Sequence, residues 1–393
     1  MPPEELHRPN GNDERIDLQQ KLARVQSLLE AARRVHSTIR LDDVLAGVLE
    51  IAAKELEADG AFFFSMGAQL EARVSVYGRV PDDWTRWTER VPLPGYASAP
   101  LTGERGDTLA HLVIYRPAPL SLEEEDFLEG LALQSALAVG NAQHHEKTIE
   151  WERVQLDLDA ARTIQRSLLP QAVPDVAGYS FALRSTTCYE VGGDYVDVVP
   201  LPDGRLMMVL GDVAGKGLAS ALISMTFRSS FRAICGAGLP MAEMAARLNQ
   251  LHWQEGPEAR RRYVTAILLC LDPATHSVEA VNCGHNPAFL VHGGESVRVA
   301  ASGPPLGMLP DRTYETERFQ LAEGGQLLLY TDGLTEVFHG EEEFGEERLL
   351  GLMGTKPSAT LLDDVWTALA RFAGNARQTD DMTALYLSRG GAQ

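Results

Sequence analysis

The chain has 393 residues, of which 45% are apolar and 23% charged, and its formal net charge is −20. That length suits two or three domains of ordinary globular composition. Such acidity excludes non-specific nucleic-acid binding, which sets Lys and Arg against phosphates, and it repels anionic lipid.

No run approaches the roughly 18 consecutive apolar residues a membrane helix needs. The opening MPPEELHRPNGNDER lacks a basic stretch followed by an apolar one, so no signal peptide is expected. Cys188, Cys235, Cys270 and Cys283 are scattered, with no CxxC pair, and read as buried thiols of a reducing, cytoplasmic compartment.

Residues 1–17 are polar and are expected to be disordered. From Leu18, the positions Leu22, Val25, Leu29, Ala32 and Ile39 continue a three-and-four stripe. That stripe suits a helix packed on its own domain or one forming a homodimer seam. After a break at 38–42 a second helix is expected over 43–56, then strands at 60–64, 72–77 and 111–115. A helix over 121–145 follows, opened by the capping-box pair Ser121 and Glu124. Two helices, several strands and a long closing helix resemble a GAF sensory domain over residues 18–145. The resemblance implies a small ligand beside the sheet, and the lack of cysteine there excludes a thiol-linked chromophore. Phe62, Phe63, Phe64, Trp84 and Trp87 could line such a pocket, but core is the commoner role for such residues, as is a structural strand position for His111.

Residues 146–169 are highly charged and free of Gly and Pro until Pro170. Trp151, Val154, Leu158, Ala161 and Leu168 keep the helical spacing, which predicts a helical, coiled-coil-like linker about 35 Å long at about 1.5 Å per residue. Trp151 and Leu158 would be exposed on a lone helix, which favours pairing. Pro170 and Pro174 end it. Strands dominate from Tyr179 onward, with helices expected at 218–235, 242–251 and 359–373. Strands are expected at 264–271, 277–282, 288–292, 326–330 and 384–387. This alternation suits a layered α+β domain over 170–390.

Four acidic turns in that domain abut predicted strands. Asp194, in Gly192-Gly193-Asp194, is read as ending one strand region, and Asp212, in Gly211-Asp212-Val213, sits at the exit of the next, with Pro202-Asp203-Gly204 between them. A hairpin through Asp203-Gly204 brings Asp194 and Asp212 to one end of a sheet. Gln326–Tyr330 runs into Thr331-Asp332-Gly333, and Thr379-Asp380-Asp381-Met382-Thr383 precedes the last strand. A single Asp-Gly turn at a strand end is ordinary turn chemistry. Four together point to carboxylates gathered around a hard divalent cation, since close unpaired carboxylates otherwise raise each other's pKa.

The set GGDYVD, GDVAGKG, TDGLTE and DDMT resembles the metal-dependent (PPM, type 2C) protein phosphatases. It is most similar to their bacterial branch named after stage II sporulation protein E. Tyr263-Val264-Thr265-Ala266, Cys283-Gly284-His285-Asn286-Pro287 and Pro305-Leu306-Gly307 match between the acidic motifs, and the resemblance extends from about 161 to 389. It implies an α-β-β-α sandwich of two stacked antiparallel sheets with helices outside. It implies hydrolysis of phosphoserine or phosphothreonine by water, without a phosphoenzyme, using two Mn²⁺ or Mg²⁺ ions. Asp212 would bridge the ions, with the Val213 carbonyl as a further ligand. Asp332 and Asp380 would hold one ion and Asp194 the other, with Asp197 a weaker candidate. The family pattern favours Asp380 over Asp381. Ile164–Pro170 matches the branch's opening segment, where this helix is implied to carry the regulatory signal. The implied substrate is a phosphorylated STAS-domain anti-anti-sigma factor.

Two ions about 3.5–4 Å apart activate water and neutralise the oxygens of an in-line displacement. An all-oxygen donor set favours Mg²⁺ or Mn²⁺ over zinc. Gly193, Gly211 and Gly333 allow close backbone approach or unusual φ/ψ beside each Asp. Where eukaryotic relatives often carry a His two residues after the bridging Asp, this chain has Ala214, so the leaving-group acid is open. Lys216 is a candidate that is as readily solvent-exposed, Arg184 is a candidate phosphate ligand, and His285 reads as a structural strand-end residue. A P-loop is excluded because Gly217 follows Lys216 and the glycine spacing is wrong. A GGDEF-type cyclase is excluded because Val196 and Asp197 break the motif. A catalytically silent sensor that binds a partner is the alternative, against which the complete acidic set argues.

Overall fold

A computed structural model describes residues 22, 25–64, 76–82, 84, 93–103, 106–170 and 172–390. The expectations for residues 1–17, Leu18, Trp87 and the first part of the strand at 72–77 fall outside them. The chain divides into two compact units, residues 1–154 and 155–393.

In the first unit, helix α1 (25–35) is followed by α2 (Leu41–Glu55). Leu41, Val44, Leu45, Val48, Leu49 and Ala52 line one face of α2, the recurrence that makes a helix amphipathic. That face packs on Ala61, Phe63, Leu101, Leu112 and Ile114 of a four-stranded antiparallel sheet. Its order is β2-β1-β4-β3, from β1 (Gly60–Phe64), β2 (Val76–Gly78), β3 (Tyr96–Thr102) and β4 (Thr108–Tyr115). Phe62 and Val113 point to the other face, where Trp84 lies 5.0 Å from Phe62 between ring centroids. Phe62 and Phe63 are core, and His111 is buried.

Helix α3 runs unbroken over Leu122–Leu168, so the two helices expected at 121–145 and 146–169 are one. Gly140 does not interrupt it, and no proline lies within it. The Ser121 amide donates to Glu124 Oε2 at 2.7 Å and the Glu124 amide to Ser121 Oγ at 3.3 Å, a closed capping box. That amide and Arg116 hold the Glu124 carboxyl down at about 2. Among the described residues no helix is long and apolar enough to cross a membrane.

The second unit holds two five-stranded antiparallel sheets. One has the order β11-β10-β13-β16-β5 and the other β12-β9-β8-β7-β6. The strands are β5 (Tyr179–Thr186), β6 (Tyr195–Pro200), β7 (Leu206–Val213), β8 (Val264–Asp272), β9 (Ser277–Cys283), β10 (Ala288–His292), β11 (Glu295–Val299), β12 (Glu317–Gln320), β13 (Gln326–Tyr330) and β16 (Met382–Arg389). A small hairpin, β14 (Phe338–His339) and β15 (Glu342–Glu343), stands apart. The edge strands β11 and β12 had no clear expectation, because ESVRV and ERFQ are mostly exposed.

Three apolar layers explain the continuous hydrophobic runs. Met208 and Leu210 of β7 meet Leu327, Leu329, Leu385 and Leu387 between the sheets. The alternate residues Met207 and Val209 face α4 (Leu218–Ile234) and α5 (Met241–Gln254), which the single turn α6 (Pro257–Arg260) follows. On the far side, Leu328, Tyr330, Ala384 and Tyr386 pack on α7 (Gly345–Leu352) and α8 (Leu361–Ala373). The central strands are therefore covered on both faces, which is why β7 and β13 read as unbroken apolar runs. Each fully buried Leu contributes about 1.5–3 kcal/mol of transfer free energy. The result is a four-layer α-β-β-α arrangement.

Cys235, Cys270 and Cys283 are free and buried, but Cys188 is only half-buried, with its Sγ donating to the Gln378 carbonyl at 3.2 Å. Cys188 departs from the expected buried thiol because it lies in the loop beside the last acidic turn.

Candidate metal centre

The β6–β7 hairpin forms as its turn residues require, with Tyr195 opposite Gly211 and Pro200 opposite Leu206. Asp194 does not end a strand as expected but stands just before β6, because the Gly192-Gly193 turn leads into that strand, and this puts it at the end where β7 delivers Asp212. Asp332 opens a short 3-10 turn directly after β13, and Asp380 immediately precedes Asp381 and β16. Since β13 and β16 are neighbours, Asp332 and Asp380 leave their sheet at one end.

Cross-bonds tie the Asp194, Asp332 and Asp380 turns together, and Lys216, just beyond the Asp212 turn, reaches them. Thr331 Oγ1 donates to Asp194 Oδ2 at 2.9 Å, and the Thr383 amide donates to Thr331 Oγ1 at 2.9 Å. Asp381 accepts the Cys188 amide on Oδ1 and the Gly193 amide on Oδ2, each at 2.7 Å. Both its oxygens are thus engaged with the backbone, which distinguishes it physically from Asp380. Asp380 accepts the Asp381 amide on Oδ1 at 2.9 Å, while its Oδ2 lies 2.8 Å from Lys216 Nζ. Lys216, between two glycines, therefore reaches back into the acidic cluster and also donates to the Thr379 carbonyl at 2.5 Å.

The electrostatics record the convergence. Burial, then the charges of Asp212 and Asp381, push the Asp194 carboxyl well above the carboxylate range. Asp212 is pushed up to about 7, first by burial and then by Asp332, Asp380 and Asp381, against the pull of Lys216. Burial and Asp380 raise Asp332. Burial raises Asp381, offset by its amide donors. Carboxylates that penalise each other's ionisation are the donor chemistry a hard divalent ion relieves. As placed, no three acidic, His or Cys side chains among the described residues close tightly enough on one point to grip an ion. The carboxylates are near enough to act on one another's charge, and the Val213 carbonyl oxygen lies 3.1 Å from where a Cβ on Gly193 would stand. The set is all-oxygen, which fits Mg²⁺ or Mn²⁺ and not zinc.

The glycines act by close approach alone. Gly193, Gly211 and Gly333 are absent from the positive-φ glycines, so the expected unusual backbone is not their reason. A Cβ on Gly333 would run into the Asp381 carbonyl oxygen, and one on Gly211 would stand 3.2 Å from the Thr265 carbonyl oxygen.

Two expected candidates lie elsewhere. Asp197 is fully buried on the helix side of β6. It is held by Arg232 through Nε at 2.6 Å and Nη2 at 2.9 Å, and by the Tyr195 hydroxyl at 2.5 Å. The period-two strand geometry explains this, because Asp197 and Tyr195 share the face turned to α4. Arg184 pairs with Asp363 at 2.8 Å and lies over the Trp366 ring at 4.8 Å, so it belongs to the α8 surface. A contact that sequence reasoning missed is Gln165 in the last turn of α3. It is buried; its Nε2 donates to the Gly192 carbonyl at 2.7 Å and its Oε1 accepts the Gly192 amide at 3.2 Å. A polar residue in an apolar heptad position was the available signal.

Residues 202–390 match the family described as stage II sporulation protein E (SpoIIE). The chain is 33% identical over 185 residues to the phosphoserine phosphatase RsbP of Bacillus subtilis, covering 46% of this chain and 45% of RsbP. It is 25% identical over 264 residues to protein IcfG of a Synechocystis species, covering 60% of this chain and 42% of IcfG. The chain thus spans less than half the length of either relative. Among solved structures, the SiaA-PP2C domain of Pseudomonas aeruginosa shares the fold with a TM-score of 0.54 at 22% identity, covering 62% of this chain and 99% of that one. Residues 202–390 are thus similar to the SpoIIE family, and the two-sheet sandwich with its acidic turns has the fold of the SiaA-PP2C domain.

Proposed function

We propose that this chain is a Mn²⁺- or Mg²⁺-dependent serine/threonine protein phosphatase that acts on a phosphorylated regulatory protein, a STAS-domain anti-anti-sigma factor. The observation that carries this reading is the convergence of Asp194, Asp212, Asp332 and Asp380 from separate strand ends, where burial first and then neighbouring carboxylates raise Asp194, Asp212 and Asp332. Asp212 would bridge two ions with the Val213 carbonyl, Asp332 and Asp380 would hold one, and Asp194 the other. Bound ions would supply the Lewis acidity that activates water and neutralises charge on the phosphoryl oxygens. The chain's own residues orient that set. Thr331 fixes Asp194, Asp381 fastens the Gly193 turn, and Lys216 balances charge at Asp380.

The first unit is read as a GAF sensor with a small ligand, over 18–145, signalling through 146–169. Gln165, which clasps Gly192 beside the first acidic turn, supports that route. The exposed apolar residues Leu133, Leu137, Trp151 and Leu156 of α3 support pairing with a second copy. The free thiols support a reducing, cytoplasmic setting. Release of phosphate from a phosphorylated STAS protein, dependent on Mn²⁺ and lost in Asp212→Ala, tests the proposal. Full activity in that variant overturns the site assignment. No turnover by the unaltered chain, with retained binding of the phosphoprotein, establishes the silent-sensor alternative.

A further inference from the structure

We propose that His285 is a positioning residue that sets the Asp332 turn in register with Asp212 across the sandwich. The inference rests on reading those two aspartates as metal ligands. His285 follows β9 in a turn made possible by Gly284 at φ +69°, and its amide donates to Asn282 Oδ1 at 2.8 Å. The ring is 5% exposed, and both nitrogens are used. Nε2 lies 3.1 Å from the Tyr330 carbonyl oxygen, and Nδ1 lies 2.9 Å from Thr265 Oγ1.

A carbonyl only accepts, so Nε2 carries the proton and Nδ1 accepts from the Thr265 hydroxyl. Thr265 has one proton, and the 2.9 Å contact takes it in preference to the Asp212 carbonyl at 3.5 Å. Burial also holds the ring's pKa down at about 4, in keeping with a neutral imidazole. Thr265 stands opposite Asp212 in the β7–β8 ladder, and Tyr330 ends β13 two residues before Asp332.

The imidazole is therefore a rigid crosspiece between the two sheets at their acidic end. Deeper in, the packing between those sheets is apolar, from Met208 and Leu210 to Leu327 and Leu385, and at the acidic end the Thr331–Asp194 and Gly193–Asp381 bonds join the Asp194 turn but not Asp212. Apolar packing is non-directional and tolerates small slides. Two directed hydrogen bonds from one planar ring do not, and a metal pair is sensitive to such slides.

The test measures Mn²⁺ affinity of the full chain by calorimetry, with thermal melts to confirm folding. His285→Gln keeps a donor for the Tyr330 carbonyl, whereas His285→Asn is too short to reach it. Thr265→Val removes the other bond at nearly constant volume. The expected result is about a 10-fold loss of Mn²⁺ affinity in His285→Asn and Thr265→Val, with His285→Gln closer to the unaltered protein. The double variant His285→Asn/Thr265→Val should lose little more than either single one. Unaltered affinity in folded Thr265→Val or His285→Asn overturns the inference, and Thr265→Val alone decides if the histidine variant does not fold. Failure of the unaltered chain to bind Mn²⁺ overturns the metal-site reading itself, and with it this inference. Those two failures are distinguishable because one leaves the unaltered chain's binding intact.

Discussion

Replacing Asp212 by Asn should make the metal-free protein more stable while abolishing its metal binding. Asp212 is lifted from its ordinary 3.8 to about 7. At about 1.4 kcal/mol per pH unit, ionising it in the folded state costs on the order of 4 kcal/mol. Asn removes the charge but must itself be buried and hydrogen-bonded, so a net gain of about 2 kcal/mol at pH 8 is the expectation. For a unit of this size that raises the melting temperature by about 4–8 °C. The sign of the pH dependence follows from the raised folded value. The protonated carboxyl's contribution is fully present below the unfolded pKa near 3.8 and is lost as pH rises through about 7. Metal-free wild-type protein should thus lose stability between pH 4 and 8, and Asp212→Asn should show a shallower loss. The assay is a thermal melt in chelator at pH 5 and pH 8, repeated with Mn²⁺. Mn²⁺ should stabilise the wild type and leave the variant where it was. A variant that melts at or below the wild type at pH 8 in chelator would refute the argument that repulsion within the acid cluster is a cost of the fold.

Arg232→Met should strand the fully buried Asp197 and cost about 3 kcal/mol in urea unfolding, while Mn²⁺ affinity stays unchanged. A shift in metal affinity there would restore Asp197 as a ligand. Gly333→Ala should displace the Asp381 carbonyl and weaken Mn²⁺ binding about 10-fold by calorimetry, and a fully competent variant would show that the close approach is dispensable. Gln165→Ala should leave both backbone groups of Gly192 without their partner, costing about 1–3 kcal/mol and lowering turnover of a small aryl phosphate several-fold. Equal turnover would remove Gln165 from the route between helix and site.

The acidic turns were legible because each joins a short buried strand to residues that favour turns, and that pattern is local. The β6–β7 hairpin was legible for the same reason, down to Asp203-Gly204. What stayed hidden depends on partners distant in sequence. Asp381 is engaged differently from Asp380 because the Cys188 and Gly193 amides, 193 and 188 positions earlier in the chain, bind its carboxylate. Asp197 looked like a spare ligand beside Asp194, yet strand alternation turns it to the helix face, where Arg232 waits on α4. The length of α3 was underestimated by dividing it where no breaker stands, since charge composition changes near 146 but helical geometry does not. Edge strands β11 and β12 were missed because an exposed strand has little hydrophobic pattern to read.

The partnership of β5 with β16 has a consequence for how the protein is made. Ser185 and Thr383 touch through their hydroxyls although 198 positions separate them, and β16 is also the neighbour of β13. Ribosomes add residues in order, so every earlier strand emerges before the one that seats between β5 and β13. Until β16 emerges, Asp380 and Asp381 are not in place and the Gly193 amide lacks its carboxylate acceptor. The acidic end of the sandwich is therefore assembled only once β16 has been made and seated between β5 and β13.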